Sequence, residues 1–446
     1  MRTVHFVFPT MTGKWPISLY GVAPPVALNA LHAAAKSIKF GLCDQGRCWD
    51  SSIHSHKIIK EVNADDVVCL TATLTGYPSS LQILREAKNK GALTAIGGPW
   101  ASVRAKEIHE RQPWIDYIAV GEGETALEAI LLGKAERGII RSGAQPLREL
   151  AGPDLSGWSE EDLRSFAGNY KKMIENGEYG KPPKHIPMFL LYQSARGCIQ
   201  QPRCAFCGSR LGSRLTHRTG EQFHADVAEL QRQVSHINTR IHIFETSDSF
   251  TSSLDRFGGN CRGHRNVTFT VFARVDEVNS TSAAALRMLG VTRVSLGIES
   301  GSTASLRELG KNTTVEQNDC AVRLLAEEGI QVYLNFMYGL SDETPTSLRR
   351  TVDHVLDLCR HGNVYRAKGR VMTPLPLSRW FLEIRNICPE IDDGSDQLDT
   401  DRLVKTWLKK RTLVDLEDIE EVHSIFTEGA HSMGVTFSNQ TAVWFG

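Results

Sequence analysis

SARGCIQQPRCAFCGSRLG, residues 194–212, gathers Cys198, Cys204 and Cys207 in one loop punctuated by Gly197, Pro202 and Gly208, directly after the apolar run IPMFLLYQ (186–193). A run of that length bounded by turn residues reads as a buried strand, so the three thiols stand at a strand's carboxyl end. Three thiolates on one loop suit a soft metal centre and leave one coordination position open. A structural zinc site asks for a fourth protein ligand, which His217 offers from further along the chain. On spacing alone an iron–sulfur cluster, a zinc site and ordinary buried thiols all remain open.

Working outward from that loop, short apolar runs alternate with amphipathic stretches. Downstream the pattern predicts a strand at 188–194, a helix at 220–235, strands at 240–245 and 267–272, a helix at 281–289, a strand at 292–296, a helix at 315–329, a strand at 331–337, a helix at 343–359 and a strand at 366–372. Strand–helix alternation implies parallel pairing through crossovers, and these units are too few for a full eight-fold barrel. The expectation is an α/β chain with a partial (β/α)6 barrel over 187–375, followed by a small, mostly helical region over 376–446. Upstream, VHFVF (4–8), DDVVCLTA (65–72), LTAIGG (93–98) and IDYIAV (115–120) alternate with helical stretches, predicting a Rossmann-like doubly wound sheet over 1–140. Breakers in GAQP, AGPD and NGEYGKPPKH make 141–186 an irregular linker. No internal repeat is visible.

The 51 basic residues are matched by 51 acidic ones, giving no field that would favour nucleic acid or an anionic membrane. No long apolar segment or signal peptide is visible, so a soluble cytoplasmic protein is expected. Most of the ten cysteines, Cys69, Cys320 and Cys359 among them, sit singly in apolar or helical stretches, as buried thiols do; Cys43 and Cys48 read as an incidental pair.

The strand ends around the cysteine loop resemble the radical S-adenosylmethionine (SAM) superfamily, and the order of the two domains resembles its cobalamin (B12)-binding branch. That family spaces its cysteines CxxxCxxC. Here the first gap, 199–203, has five residues, and the second ends on Phe206, an aromatic typical of the family at that place. The resemblance implies a [4Fe-4S] cluster on Cys198, Cys204 and Cys207, with SAM on the open iron. IHIFETSDSF (241–250) is similar to the segment that meets the SAM amino group, with Glu245 and Asp248 as candidates. TVFARVDEV (270–278) offers Arg274 to the SAM carboxylate. RVSLGIESGS (293–302), the most specific match, places Gly297 and Glu299 near the ribose and methionine, and NFMYGLSDET (335–344) places Gly339 against adenine. The implied reaction is reductive cleavage of SAM to a 5′-deoxyadenosyl radical, with an electron from a donor such as flavodoxin or ferredoxin.

The string DDVVCLTATLTGYPSS…LTAIGGPWAS…IDYIAVGEGETALEAIL (65–132) resembles the cobalamin-binding domain found before such barrels. It implies Thr71, Thr73, Thr75, Gly97, Gly98 and Gly121 as cobalamin contacts. The first loop, FPTMTGKWPISLYG, contains no histidine, which argues against histidine ligation of cobalt rather than against binding. The favoured outcome is methyl transfer to an unactivated centre of a small molecule or peptide; a radical dehydratase, epimerase or rearrangement enzyme with a degenerate cobalamin domain, and a zinc- or corrinoid-binding protein without radical chemistry, are the alternatives. Arg379, Trp380 and Trp407 are expected to line or close the substrate cavity.

Overall fold

The computed structural model describes residues 1–10, 21–54, 57–176, 184–208, 215–392 and 398–437. The histidine-free part of the first loop, 11–20, lies outside them.

The N-terminal strands are β1 (Thr3–Phe8), β2 (Gln45–Asp50), β3 (Val67–Thr71), β4 (Leu93–Gly97), β5 (Tyr117–Val120) and β6 (Gly138–Arg141). All pairings are parallel, in the order β2-β1-β3-β4-β5-β6. Every residue of β1 is buried, as expected of a strand covered on both faces. The helices between are α1 (Val26–Ser37), the short α2 (Ser51–His54) and α3 (Lys57–Glu61), α4 (Tyr77–Asn89), α5 (Gly98–Arg111) and α6 (Gly123–Leu131).

The stretch expected as an irregular linker is folded and fixed to the first domain. Ser159 and Asp162 form a reciprocal capping box that starts α7 (Glu160–Glu175), with Glu160 and Glu161 complementing the helix dipole. His32 Nδ1 meets Asp154 at 2.9 Å, the Trp158 indole donates to Asn29 at 2.8 Å, and His54 Nε2 meets Asp162 at 2.7 Å. Tyr170, Met173 and Ile174 on the buried face of α7 pack with Val22, Ala23 and Phe189, which joins α7 to the first strand of the second domain.

That domain comprises β7 (Met188–Tyr192), the two-residue β8 (Ala195–Arg196) and β9 (Thr216–His217), α8 (Gly220–Val234), β10 (Ile241–Glu245), β11 (Val267–Ala273), α9 (Ser280–Leu289), β12 (Val291–Glu299), α10 (Thr303–Glu308), α11 (Val315–Glu327), β13 (Gln331–Tyr338), α12 (Pro345–His361) and β14 (Val364–Val371). After α13 (Arg379–Ile387), α14 (Thr400–Arg411) and α15 (Leu416–Ser432), the chain returns as β15 (Thr436–Phe437). A seven-stranded parallel half-barrel results, in the order β15-β14-β13-β12-β11-β10-β7, with β8 and β9 as a separate antiparallel pair. The region expected to be a helical appendage therefore supplies a barrel strand. LEDIEEVH, at the start of α15, is solvated on one face only: Ile419, Val422 and Phe426 are buried.

Trp380 and Trp407 belong to the core rather than to a cavity wall. Both are fully buried with ring centroids 5.0 Å apart, and the Trp407 indole donates to the Gly339 carbonyl at 2.8 Å. Arg379 is half exposed and bonds the Glu308 carbonyl at 3.2 Å. Among the described residues no helix is long and apolar enough to cross a membrane.

Glu343 is buried beneath this joint and accepts the backbone N–H groups of Gly339 and Leu340 at 2.5 and 3.2 Å through one oxygen. Its other oxygen has no partner among the described residues, and burial pushes the carboxyl up to about 7. The folded chain thus holds this proton more tightly than the unfolded chain does. The stabilisation is complete below the ordinary carboxylate range and is lost as pH rises to about 7. Glu343→Gln is expected to flatten the fall in stability across that window, read from urea midpoints at a series of pH values.

Candidate functional site

The cysteine loop leaves the carboxyl end of β7 and is pinned on both sides. Gln200 donates to the Gly310 carbonyl at 2.7 Å, the Ala205 N–H to Leu309 at 2.8 Å, and the Trp380 N–H to the Ala205 carbonyl at 3.1 Å. Within the five-residue gap Ile199, Gln201 and Pro202 are exposed, while Gln200 turns inward. The extra length is absorbed as an outward bulge with one anchor. Cys198, Cys204 and Cys207 are all partly exposed and in no disulfide among the described residues, and Phe206 between the last two packs on the core edge. Burial pushes the Cys204 thiol up to about 11 against the opposing pull of Lys311 and Arg274.

Among the described residues no three His, Cys, Asp or Glu side chains converge on a point that one metal ion could occupy. His217 Nδ1 is directed at the Arg218 carbonyl at 3.0 Å. A four-iron cluster makes a different demand, since each thiolate binds its own iron at a separate corner. The donor set fits it: three thiols on one anchored loop, beside cations that favour thiolate.

Arg274 is buried next to that loop, with Cys198 and Cys204 among the charges it feels. It donates to Asp276 at 2.9 Å and to the Lys311 carbonyl at 3.1 Å, and its buried Nε has no partner among the described residues. An orphaned guanidinium N–H at this position suits an incoming carboxylate. Glu299 sits at φ 57°, just past a register shift between Gly297 and Glu299, an uncommon backbone conformation for a glutamate. Its carboxylate is paired with Lys311 at 2.7 Å, and the same ammonium reaches the Gly297 carbonyl. Lys311 lies in GKNTT, outside every strand-end motif, and only the folded chain brings it here. A ribose hydroxyl would have to share Glu299 with it.

Two residues assigned to SAM by resemblance are engaged elsewhere. Glu245 is fully buried and accepts from the Ser194 N–H and hydroxyl at 2.6 and 2.8 Å and from Ser247, tying the end of β7 to that of β10. Gly339 has both backbone groups occupied, by Glu343 and Trp407. A Cβ there would lie 2.5 Å from Leu408, so Gly339 serves close packing of α14 on the strand end. Asp248 is exposed and lines the cavity described next.

A cavity of about 400 Å³ lies between the two domains. One wall is α1 with α6; another is the carboxyl ends of β3, β4 and β5, including Thr71, Gly97, Gly98 and Gly121; the opposite end is Gln193, Arg196, Gly197 and Asp248 of the half-barrel mouth. Thr73 and Thr75 are not on its wall; the Thr73 hydroxyl accepts the Gly76 N–H at 3.1 Å in the turn ahead of α4. Arg196, two residues before Cys198, bonds Glu122 at 3.2 Å and Glu124 at 2.5 Å. This charged bridge ties the GEGE turn to the cysteine loop, and burial pushes the Glu122 carboxyl upward.

Gly98 has φ 90°, and a Cβ there would lie 2.6 Å from Thr71 Oγ1 and 2.9 Å from the Ala72 carbonyl. Gly98→Ala is expected to cost about 1–2 kcal/mol from the left-handed backbone alone, read as a lowered urea midpoint.

Residues 17–131 match the B12 binding domain family. An uncharacterized methyltransferase of Pyrococcus horikoshii is 26% identical over 346 residues, covering 74% of this chain and 72% of that protein. An anaerobic magnesium-protoporphyrin IX monomethyl ester cyclase of Rubrivivax gelatinosus is 27% identical over 350 residues, 73% of this chain but only 59% of the cyclase. Among solved structures, the cobalamin-dependent SAM radical enzyme OxsB, with aqua-cobalamin and SAM bound, superposes at TM-score 0.69 with 15% identity, over 97% of this chain and 72% of that one. The radical SAM methyltransferase TsrM of Kitasatospora setae superposes at 0.60 with 17% identity, over 87% of this chain and 75% of that one. At such identities the superpositions establish the shared fold. The chain thus contains a B12-binding domain over residues 17–131, and it shares its two-domain fold, with the cysteine loop at the half-barrel mouth, with cobalamin-dependent radical SAM enzymes.

Proposed function

We propose that this chain is a radical SAM enzyme that holds a [4Fe-4S] cluster on Cys198, Cys204 and Cys207, reductively cleaves SAM there, and uses cobalamin to methylate an unactivated centre of a small molecule or peptide. The observation that carries this reading is the shared cavity: one space touches Gly97, Gly98 and Gly121 of the B12-binding domain and Arg196, Gly197 and Asp248 beside the cysteine loop. Its apolar part, between α1, α6 and the strand ends, suits the nucleotide tail of a cobalamin.

When bound, the cluster and SAM supply a radical that abstracts hydrogen, and cobalamin supplies a transferable methyl group. The chain's own residues bind and orient. Arg274 offers its unpartnered Nε to the SAM carboxylate, Asp248 faces the cavity as a partner for the SAM ammonium, and Glu299 with Lys311 borders the ribose site. Arg196 holds the two domains in one register, so that reacting groups can be placed in near-contact. The electron comes from an external donor such as flavodoxin or ferredoxin.

Anaerobic purification with iron, sulfide and cobalamin tests the reading. A brown, corrinoid-retaining chain that converts SAM to 5′-deoxyadenosine and passes label from the SAM methyl to a product is expected. Stoichiometric zinc with no SAM cleavage would sink it. SAM cleavage without corrinoid retention would keep the radical chemistry and reject methyl transfer.

A further inference from the structure

Arg218 stands where the chain re-enters the half-barrel after the cysteine loop. β8 pairs with β9 just before it, and the Arg218 N–H donates to the Ser194 carbonyl at 2.9 Å. The side chain is buried, and all three guanidinium nitrogens are engaged. Nη1 donates to the Leu147 and Leu150 carbonyls at 3.1 and 2.6 Å, Nη2 donates to the Ala151 carbonyl at 2.6 Å, and Nε lies 2.9 Å from Asp226 of α8. Asp226 also accepts the Tyr192 hydroxyl at 2.6 Å. A rigid planar fork gathers several carbonyls of one bend at once, which an ammonium on a flexible stem does not.

The gathered segment has little regular structure of its own: Leu147–Glu149 is a single 3-10 turn, and α7 starts only at Glu160. Its course is set by ties to both domains. From the second domain, Gln222 donates to the Arg148 carbonyl at 2.8 Å and Gln233 accepts the Leu155 N–H at 2.7 Å. Gly152 passes so close that a Cβ would lie 2.5 Å from the Asp226 carboxylate. From the first domain, Lys36 joins His32 on Asp154, at 3.1 Å. Held in this way, Leu147, Leu150, Ala151 and Pro153 form part of the cavity wall, together with Ala30 and Ala34 of α1. Those two alanines lie one turn apart on the same stripe of the helix, where small side chains leave the space open. The apolar end of the cavity therefore has a wall that belongs to neither sheet and whose bend is gathered from the barrel side by Arg218.

We propose that Arg218 is a positioning residue for the corrinoid: it seats residues 147–153 as a wall of the cavity's apolar end, so that the chain selects a corrinoid by its nucleotide tail. Calling the occupant a nucleotide tail rests on the cobalamin reading; the clamp itself rests on the four contacts of the guanidinium. Because those nitrogens are taken up by the protein, Arg218 acts through the wall. A segment fixed before the ligand arrives spares the cost of ordering it on binding, and that saving reaches only a ligand long enough to touch it.

The test titrates the full chain, reconstituted anaerobically, with aquacobalamin and with cobinamide, which lacks the nucleotide tail, and measures corrinoid retained on ultrafiltration. The wild type is expected to hold cobalamin at least about tenfold more tightly than cobinamide, or about 1.4 kcal/mol. Arg218→Met and Leu150→Ala should each erase most of that preference by weakening cobalamin, with cobinamide affinity staying within about twofold. Arg218→Lys keeps a charge for Asp226 but not the fork, and should side with the methionine variant. A role in folding alone would move both corrinoids together. Equal affinity for the two in the wild type, an unchanged preference in the Arg218 variants, or equal loss of both corrinoids overturns the clamp and leaves the cobalamin reading standing. Retention of neither corrinoid by the wild type sinks that reading and the proposal with it. Where no variant folds by circular dichroism, the wild type decides: cobalamin, and not cobinamide, should slow tryptic cleavage after the exposed Arg148, and equal cleavage rates overturn the proposal.

Discussion

Cys204→Ala is expected to yield a folded protein that lacks the brown cluster absorption and whose SAM cleavage falls by at least about a hundredfold, since loss of a direct ligand should exceed the effect of losing an outer-shell partner. The chain should still fold because the loop is held by its neighbours. Ala205 donates to Leu309 and accepts from Trp380, and Gln200 is fixed to Gly310, so removing one sulfur leaves the anchors in place. Cys198→Ala and Cys207→Ala should behave alike. Cys359→Ala is the control: that thiol is buried in α12, pushed up to about 12 by its burial, and should be inert. Visible absorption after anaerobic reconstitution, and 5′-deoxyadenosine formation, read the difference. Iron–sulfur absorption retained in all three loop variants reconstituted without cobalamin would remove the cluster from this loop.

Trp407→Ala is expected to cost about 3–5 kcal/mol in unfolding free energy, the range for removing a large aromatic from a core. The indole is fully buried against Trp380, and its N–H is the partner of the Gly339 carbonyl. Truncation both opens a void and leaves that carbonyl unpaired at the end of β13. The urea midpoint should fall sharply, while cluster absorption in the folded fraction stays unchanged. A normal midpoint with altered substrate range would instead return Trp407 to a cavity wall.

Much of the fold was legible because parallel strands announce themselves. VHFVF is buried along its whole length and TVFA nearly so, as strands covered on both faces must be, and β11 ends within one residue of its expectation. β2 escaped because QGRCWD is polar at its start and buried only in its second half, as an edge strand allows. The capping signal of α7, Ser159 with Asp162, was present in the sequence, but the surrounding breakers masked it. β15 is two residues long and has no periodicity to read.

The site divides along a physical line. Residues singled out for a loop's own chemistry, the three cysteines and the glycines at Gly97, Gly98 and Gly121, lie together on the cysteine loop and the cavity wall. Residues whose role depends on a distant partner are harder to read. A glutamate at a strand end looks alike whether it faces a ligand or, as Glu245 does, is saturated by Ser194 and Ser247. Arg196 and Lys311 escaped for the converse reason: their partners Glu122, Glu124 and Glu299 come from other segments.

The order in which the cavity walls occur along the chain has a consequence for biosynthesis. In the order of synthesis all six strands of the first sheet are complete at Arg141, so the glycine edges can form as soon as that domain folds on the ribosome. The opposite wall comes later, from Leu147, Leu150 and Pro153, then Gln193, Arg196 and Gly197, then Arg218. A nascent chain therefore passes through an interval in which the ledge exists and its facing wall does not. During translation, a large planar ligand meets an open shelf rather than a finished cleft.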